Sequence, residues 1–285
     1  MARIMDGRAL AGEVMDRVAQ DVADLAARHG ARPGLATLVV GGEPVDHVHA
    51  RYKHEACKRL GMHSRGVTLP AGSTSEQVVR AVRALEEDPE IHGIFVHLPL
   101  PGGVDARTVL MSIPLDKDID AVHPATLGQL AAAGGEPRFL PCTAAACLRL
   151  LENCGVLIRS AKAVVVGKSH YAAVPTALLL LREGATVEIV PEGNRFLEQE
   201  VRTADIVIAA IGRPAFVTAA MLKPGAAVID LGAHRIAGTL RGDVDLEGAM
   251  EVAGAIAPVP GGAGPMTVAM LMSNTLEAAR LRRDR

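Results

Sequence analysis

A chain of 285 residues, 49% of them apolar and with a net charge of −2, is long enough for two α/β domains, each with its own core. With no Trp, two Tyr and four Phe, and no global excess of basic residues, it lacks the features of a nucleic-acid binder, which needs stacking platforms or a basic face. The four cysteines (Cys57, Cys142, Cys147, Cys154) show neither CxxC nor zinc-ligand spacing, so no metal site is expected. The N-terminus has no secretory apolar run and no stretch is long enough to span a membrane, so a soluble, cytoplasmic protein is expected.

In chain order, residues 7–30 carry helical periodicity (Leu10, Val14, Val18, Val22, Leu25), and LATLVV (35–40) reads as a buried strand. A helix follows Pro44 and runs towards Gly61. SRGVTL (64–69) is a strand, Thr74-Ser75-Glu76 opens a helix through Leu85, and GIFVHL (93–98) is a third strand. Residues 99–140 are rich in loops. A helix begins near Pro141-Cys142-Thr143, with Thr143 as its expected cap. Strands at 163–167, 186–190, 204–212 and 226–232 then alternate with helical segments, and a last helix spans 266–282. This rhythm predicts an open, mainly parallel sheet covered by helices on both faces.

AVVVGKSHYAAVP (163–175) is an apolar strand running into a Gly turn and then a helix, where backbone N–H groups can meet a pyrophosphate. Only Gly167 of a GxGxxG pattern is present, so a plain βαβ turn fits these residues equally well. Glu192, 25 residues beyond Gly167, stands near the position of an acid that binds ribose hydroxyls of NAD. Lys168 and Arg195 suit the additional phosphate of NADP. These residues leave both cofactors open, along with a surface ion pair of no ligand role.

On the helix after Pro44, His49 and Lys53 are four residues apart and share a face, beside an apolar stripe of Val48, Tyr52 and Ala56. A lone lysine there is ordinarily a surface residue whose stem covers apolar groups. Desolvation would make it useful for proton transfer. His97 stands at the C-terminal end of a strand, the edge where α/β sheets bind ligands. PLDKDIDAVHP (114–124) brings Asp116, Asp118 and Asp120 into one loop that lacks the glycine and terminal Glu of an EF-hand. Pro258, Val259, Pro260, Gly261 and Gly262 form a turn in which glycine backbone can approach a flat ligand closely.

GIFVHLPLP, LDKDIDAVHP, FLPCT, VVVGKSHYAAVP, ADIVIAAIG, VIDLG, GDVD and APVPGGAGPMT follow one another in this order, and the series resembles the bifunctional methylenetetrahydrofolate dehydrogenase/cyclohydrolase family. The resemblance implies two domains, a folate-binding catalytic one (1–140 plus 266–285) and a Rossmann-like, doubly wound NAD(P)-binding one (141–265). It implies oxidation of 5,10-methylenetetrahydrofolate with NADP, or with NAD, and hydrolysis of the methenyl product to 10-formyltetrahydrofolate. Lys53 matches the family's lysine that handles the proton during hydrolysis, and Asp120 the acid that holds the pterin edge. Ser169 matches a serine of the nucleotide loop, where Lys168 replaces an arginine. The 258–262 turn matches one lying along folate and nicotinamide. A homodimer is also implied.

The chain departs from the family pattern at four positions. His49 stands in place of a tyrosine, His97 of a glutamine, and Ala121 and Ala173 of glycines. A protonated His97 would repel the Lys53 ammonium, whereas a neutral one could itself act as base. A paralogue that keeps one activity or takes a related pterin, and a non-catalytic folate or nucleotide binder, are the alternatives. The presence of Lys53 counts against the binder.

Overall fold

The structure is a computed structural model that describes residues 1–41 and 44–283, without the side chains of 44–48 and 283. The first part of the chain forms β1 (Arg3–Ile4), α1 (Gly7–His29), β2 (Gly34–Val40), α2 (Pro44–Arg59), β3 (His63–Leu69), α3 (Ser75–Glu87), β4 (Gly93–Val96), α4 (Ala106–Met111) and α5 (Pro124–Ala131). The second part forms α6 (Cys142–Asn153), β5 (Lys162–Val166), α7 (Ala173–Arg182), β6 (Thr186–Val190), α8 (Leu197–Arg202), β7 (Ile206–Ala209) and β8 (Ala227–Asp230). It ends with β9 (His234–Ile236), β10 (Thr239–Arg241), α9 (Leu246–Val252), β11 (Ala255–Ala257) and α10 (Ala263–Arg283).

These elements make two compact units. One comprises Glu13–Leu140 and Leu271–Arg285, the other Met1–Gly12 and Pro141–Met270. In the first unit, β2 lies between β3 and β4 and pairs with both in parallel. Side chains alternate across this sheet. Ala36, Leu38, Ile94 and Val96 enter one core with Val78, Val82 and Leu85 of α3. The start of α3 is fixed by a capping box in which Thr74 accepts from the Gln77 amide and the Gln77 side chain accepts from that of Thr74.

The second unit is a six-stranded sheet in the order β1-β11-β8-β7-β5-β6, with every pairing parallel. Its interior strands are continuous apolar runs, as burial on both faces requires: Val164, Val166, Val207, Val228 and Ile256 are all at most 0% exposed. Residues 1–12, which the sequence reading grouped with the other domain, lie in this unit because β1 pairs with β11 and α1 begins against its last loop.

Three local expectations change. Thr143 does not cap α6. The helix starts two residues earlier than that cap would place it, at Cys142, with Pro141 as its N-cap and no side-chain capping bond. The final helix begins at Ala263, three residues before its expected start. The hairpin of β9 and β10 was not anticipated, because its strands are three residues each and carry little apolar alternation. All four cysteines are buried and outside any disulfide, and burial pushes the thiols of Cys57 and Cys147 up to about 12, so these two pack as small apolar groups. Among the described residues, no helix is long and apolar enough to cross a membrane and no cluster of potential metal ligands forms.

Candidate active site

In the first unit, β4 sets the geometry. Phe95 pairs in register with Thr37 of β2, and His97 follows two residues on, so both project from the sheet face opposite Ile94 and Val96. The sequence Phe-Val-His therefore divides itself, with Val96 in the core and the two rings on the other face. The Phe95 and His97 rings meet edge to face, with centroids 4.9 Å apart and planes at 82°. From α2, Lys53 places its Nζ 4.3 Å from the centre of the Phe95 ring. Lys53 and His97 are each only 8% exposed, so the expected pair of polar groups is brought to one aromatic ring and shielded from water.

His54, beside Lys53, was not singled out from the sequence. One ring nitrogen lies 3.0 Å from Thr37 Oγ1 and the other 3.1 Å from Ser64 Oγ, which ties α2 to β2 and β3. Burial, reinforced by the adjacent Lys53 charge, lowers its pKa. His49 is exposed one turn before Lys53. Of the expected apolar stripe, Ala56 is buried, but Tyr52 is 56% exposed and is no part of the packed face. The side chain of Val48 lies outside the described residues. Tyr52 follows from the helical period: the residue before the inward-facing Lys53 is rotated about 100° away from it.

The three acids of the 114–124 loop differ in burial. Asp118, 1% exposed, accepts from the amides of Val122 and His123 and closes the loop on itself. Burial raises its pKa despite those bonds. Lys117 is buried and donates to the carbonyls of Leu85, Glu86 and Asp88, at the C-terminal end of α3. Asp120 is left half-buried at the loop's end. Ala121 is fully buried with φ of 58°, the left-handed conformation for which glycine is better suited. Asn274 of α10 donates to the carbonyls of Ile119 and Leu140, and so braces the residue before Asp120. Nothing in the sequence of the helix distinguished Asn274 from a surface polar residue.

In the second unit, β5 lies between β6 and β7, so the chain leaves β5 on one side and returns on the other. Ligands of such sheets bind outside the C-terminal strand ends at this switch point. The Gly167 turn follows β5, Glu192 and Arg195 follow β6, and residues 258–262 follow β11, all at that edge. Gly167 has φ of 129°, and a Cβ there would overlap the Ala210 carbonyl, so the turn requires glycine. Ser169 Oγ accepts from the Tyr171 amide, and Lys168 is exposed. Ala173 is fully buried at the first turn of α7, where its methyl packs without strain.

Glu192 pairs with Arg213, Nη1 to Oε1 at 2.5 Å, and not with Arg195, whose guanidinium stacks on Phe196. Arg213 follows β7 and also stacks on Phe216. It is a second cation beside the nucleotide edge that sequence spacing did not reveal. The Pro258–Gly262 turn is rigid: Gly262 donates to the Pro258 carbonyl, and a Cβ on Gly7 would overlap the Gly262 carbonyl. Beneath this edge, buried Asp230 accepts from Gly232, Asp243 and Val244, while Asp243 accepts from Ile211, Gly212 and His234. That network holds the ends of β7 and β8 and explains Asp230 of VIDLG and Asp243 of GDVD as supports of the loops.

The turn, its neighbouring cations and the switch-point crevice suit a dinucleotide. Two family models match the chain: the tetrahydrofolate dehydrogenase/cyclohydrolase catalytic domain over residues 5–120, and the NAD(P)-binding domain of the same family over residues 141–283. The chain is 47% identical to the bifunctional protein FolD of Bordetella bronchiseptica, over 98% of each chain. It is 45% identical to that of Moorella thermoacetica, over 98% of this chain and 99% of the other. Its fold is similar to the crystal structure of the methylenetetrahydrofolate dehydrogenase-cyclohydrolase of Trypanosoma brucei complexed with NADP cofactor and inhibitor, with a TM-score of 0.95 and 38% identity over 100% and 99% of the two chains. With both halves matched in order, the chain belongs to the tetrahydrofolate dehydrogenase/cyclohydrolase family.

Proposed function

We propose that the protein oxidises 5,10-methylenetetrahydrofolate to the 5,10-methenyl form with NADP, and hydrolyses that product to 10-formyltetrahydrofolate. The observation that carries this reading is the shielded Lys53 of a chain matched by both family domains. A nicotinamide cofactor held in the NAD(P)-binding domain would supply the hydride acceptor. The Gly167 turn, Lys168 and Ser169 hold the pyrophosphate, and Arg195 and Arg213 offer charge to the ribose phosphate. Pro258, Val259, Pro260, Gly261 and Gly262 supply the flat backbone surface for the reacting rings. Asp120 accepts the amide and amino protons of the pterin, which suits a carboxylate with two acceptor oxygens.

In hydrolysis, water adds to the electrophilic methenyl carbon; the amine form of Lys53 takes the proton lost from that water and, as the ammonium, returns it to N5 as the C–N5 bond breaks, leaving the formyl group on N10. His97, in edge-to-face contact with Phe95, tunes the charge that Lys53 experiences, and His49 lies one turn before Lys53 on the same helix. The protein acts in the cytoplasm as a homodimer, by family resemblance. Residues Glu13–Leu140 form the bulk of the folate-binding domain, and Pro141–Met270 that of the NAD(P)-binding domain.

Reduced-cofactor absorbance and the methenyl band, followed together with NADP and with NAD, test the reading. Both signals should change. A second reading, a paralogue with one activity, is favoured by the two histidines at 49 and 97. It predicts that one signal is absent and returns in His49→Tyr with His97→Gln.

A further inference from the structure

The usefulness of a lysine as a proton carrier depends on where its ammonium is held, and a free four-carbon stem holds it poorly. Here the ammonium sits over the face of Phe95 at 4.3 Å, well inside the range of cation–π attraction. The attraction is stronger for a shielded cation than for an exposed one, and Lys53 is 8% exposed. The ring is itself fixed. Phe95 is anchored by its strand register with Thr37, and its edge-to-face contact with His97 sets its plane. Neither the family motif around this strand nor the charge pattern singles Phe95 out, because in sequence it reads as one more apolar strand residue.

We propose that Phe95 is a positioning residue for the hydrolytic step, orienting the Lys53 ammonium through its ring face and linking that orientation to His97 through the edge-to-face contact of the two rings. The inference rests on the reading of Lys53 as the proton-handling group. Hydride transfer needs alignment of two rings and no proton carrier, so it is insensitive to this contact. An aliphatic residue of similar bulk would fill the space beside Lys53 and leave the ammonium without the ring's negative face.

The test uses the full chain carrying Phe95→Leu, Phe95→Tyr or Lys53→Met, with kcat and KM measured separately for dehydrogenation and for methenyl hydrolysis. Phe95→Leu should lower the kcat of hydrolysis roughly tenfold, with its KM and the dehydrogenase rate within about twofold of the parent. Phe95→Tyr, which keeps the ring face, should restore hydrolysis. Unchanged hydrolysis in Phe95→Leu, beside an inactive Lys53→Met, overturns the role of Phe95 and leaves that of Lys53 intact. Equal losses in Phe95→Leu and Phe95→Tyr, or a parallel fall in both activities, overturn it as well, since packing alone would then account for the effect. Full hydrolysis by Lys53→Met removes the reading of Lys53 and this inference with it.

Discussion

The side-chain amide of Asn274 donates to the carbonyl of Ile119 at 2.8 Å and, with a second bond to Leu140, ties the last helix to the loop that carries Asp120. Removing a donor from two carbonyls costs about 1–3 kcal/mol. Asn274→Ala should therefore lower the stability of the chain in urea by that order. It should also raise KM for the folate substrate more than it lowers kcat, because Asp120 is displaced and Lys53 is not. A change in stability with unaltered KM would show that the loop holds Asp120 without this brace.

Ala121 is an L-residue in a left-handed conformation, fully buried directly after Asp120. Such a conformation costs roughly 1–2 kcal/mol, partly offset by the greater chain entropy that glycine brings to the unfolded state. Ala121→Gly should stabilise the protein by about 1 kcal/mol or less, read as a higher urea midpoint at constant slope. A lower midpoint would mean that the Ala121 methyl contributes more by packing than its backbone loses.

His54 links the active-site helix to the sheet and carries a depressed pKa, first through burial and then through Lys53. Its folded pKa lies below its unfolded value of 6.5, so the contribution to stability is present above pH 6.5 and is lost as pH falls through the folded value. The parent should lose more stability between pH 7 and 5 than His54→Gln does. NMR titration of the His54 ring should give a midpoint below 6.5, and one above it would contradict the account.

The Glu192–Arg213 pair sits at the nucleotide edge with both side chains 54% exposed. A carboxylate there competes with a ribose phosphate for Arg213. Glu192→Gln should raise the preference for NADP over NAD, and Arg213→Ala should lower it, each by about fivefold, the scale of one exposed ion pair. The ratio of kcat/KM for the two cofactors reads this directly. An unchanged ratio in both variants would place the pair outside the cofactor site.

Where sequence and structure agree, one physical period governs. Strand β6 spans the residues expected for it, 186–190, and α3 begins where Thr74 and Gln77 make a capping box. Lys53 and His97 were visible as unusual polar residues at a helix face and a strand end. Their meeting at Phe95 was not, because it depends on the register of β4 with β2 and on how α2 packs over that face. Asp116, Asp118 and Asp120 look alike in sequence, and burial separates the loop-closing Asp118 from the half-buried Asp120. Arg213 escaped notice for the same reason, since its partner Glu192 is 21 residues away and on another strand end.

Lys53 is proposed to drive hydrolysis and to be dispensable for dehydrogenation. The most direct measurement is the rate of methenyl decay and of NADP reduction in the parent and in Lys53→Met, which keeps the packed stem and removes the charge. In Lys53→Met hydrolysis should be lost while NADP reduction by methylenetetrahydrofolate continues and the methenyl product accumulates. Undiminished methenyl decay in Lys53→Met would contradict this role and move the proton chemistry to another group.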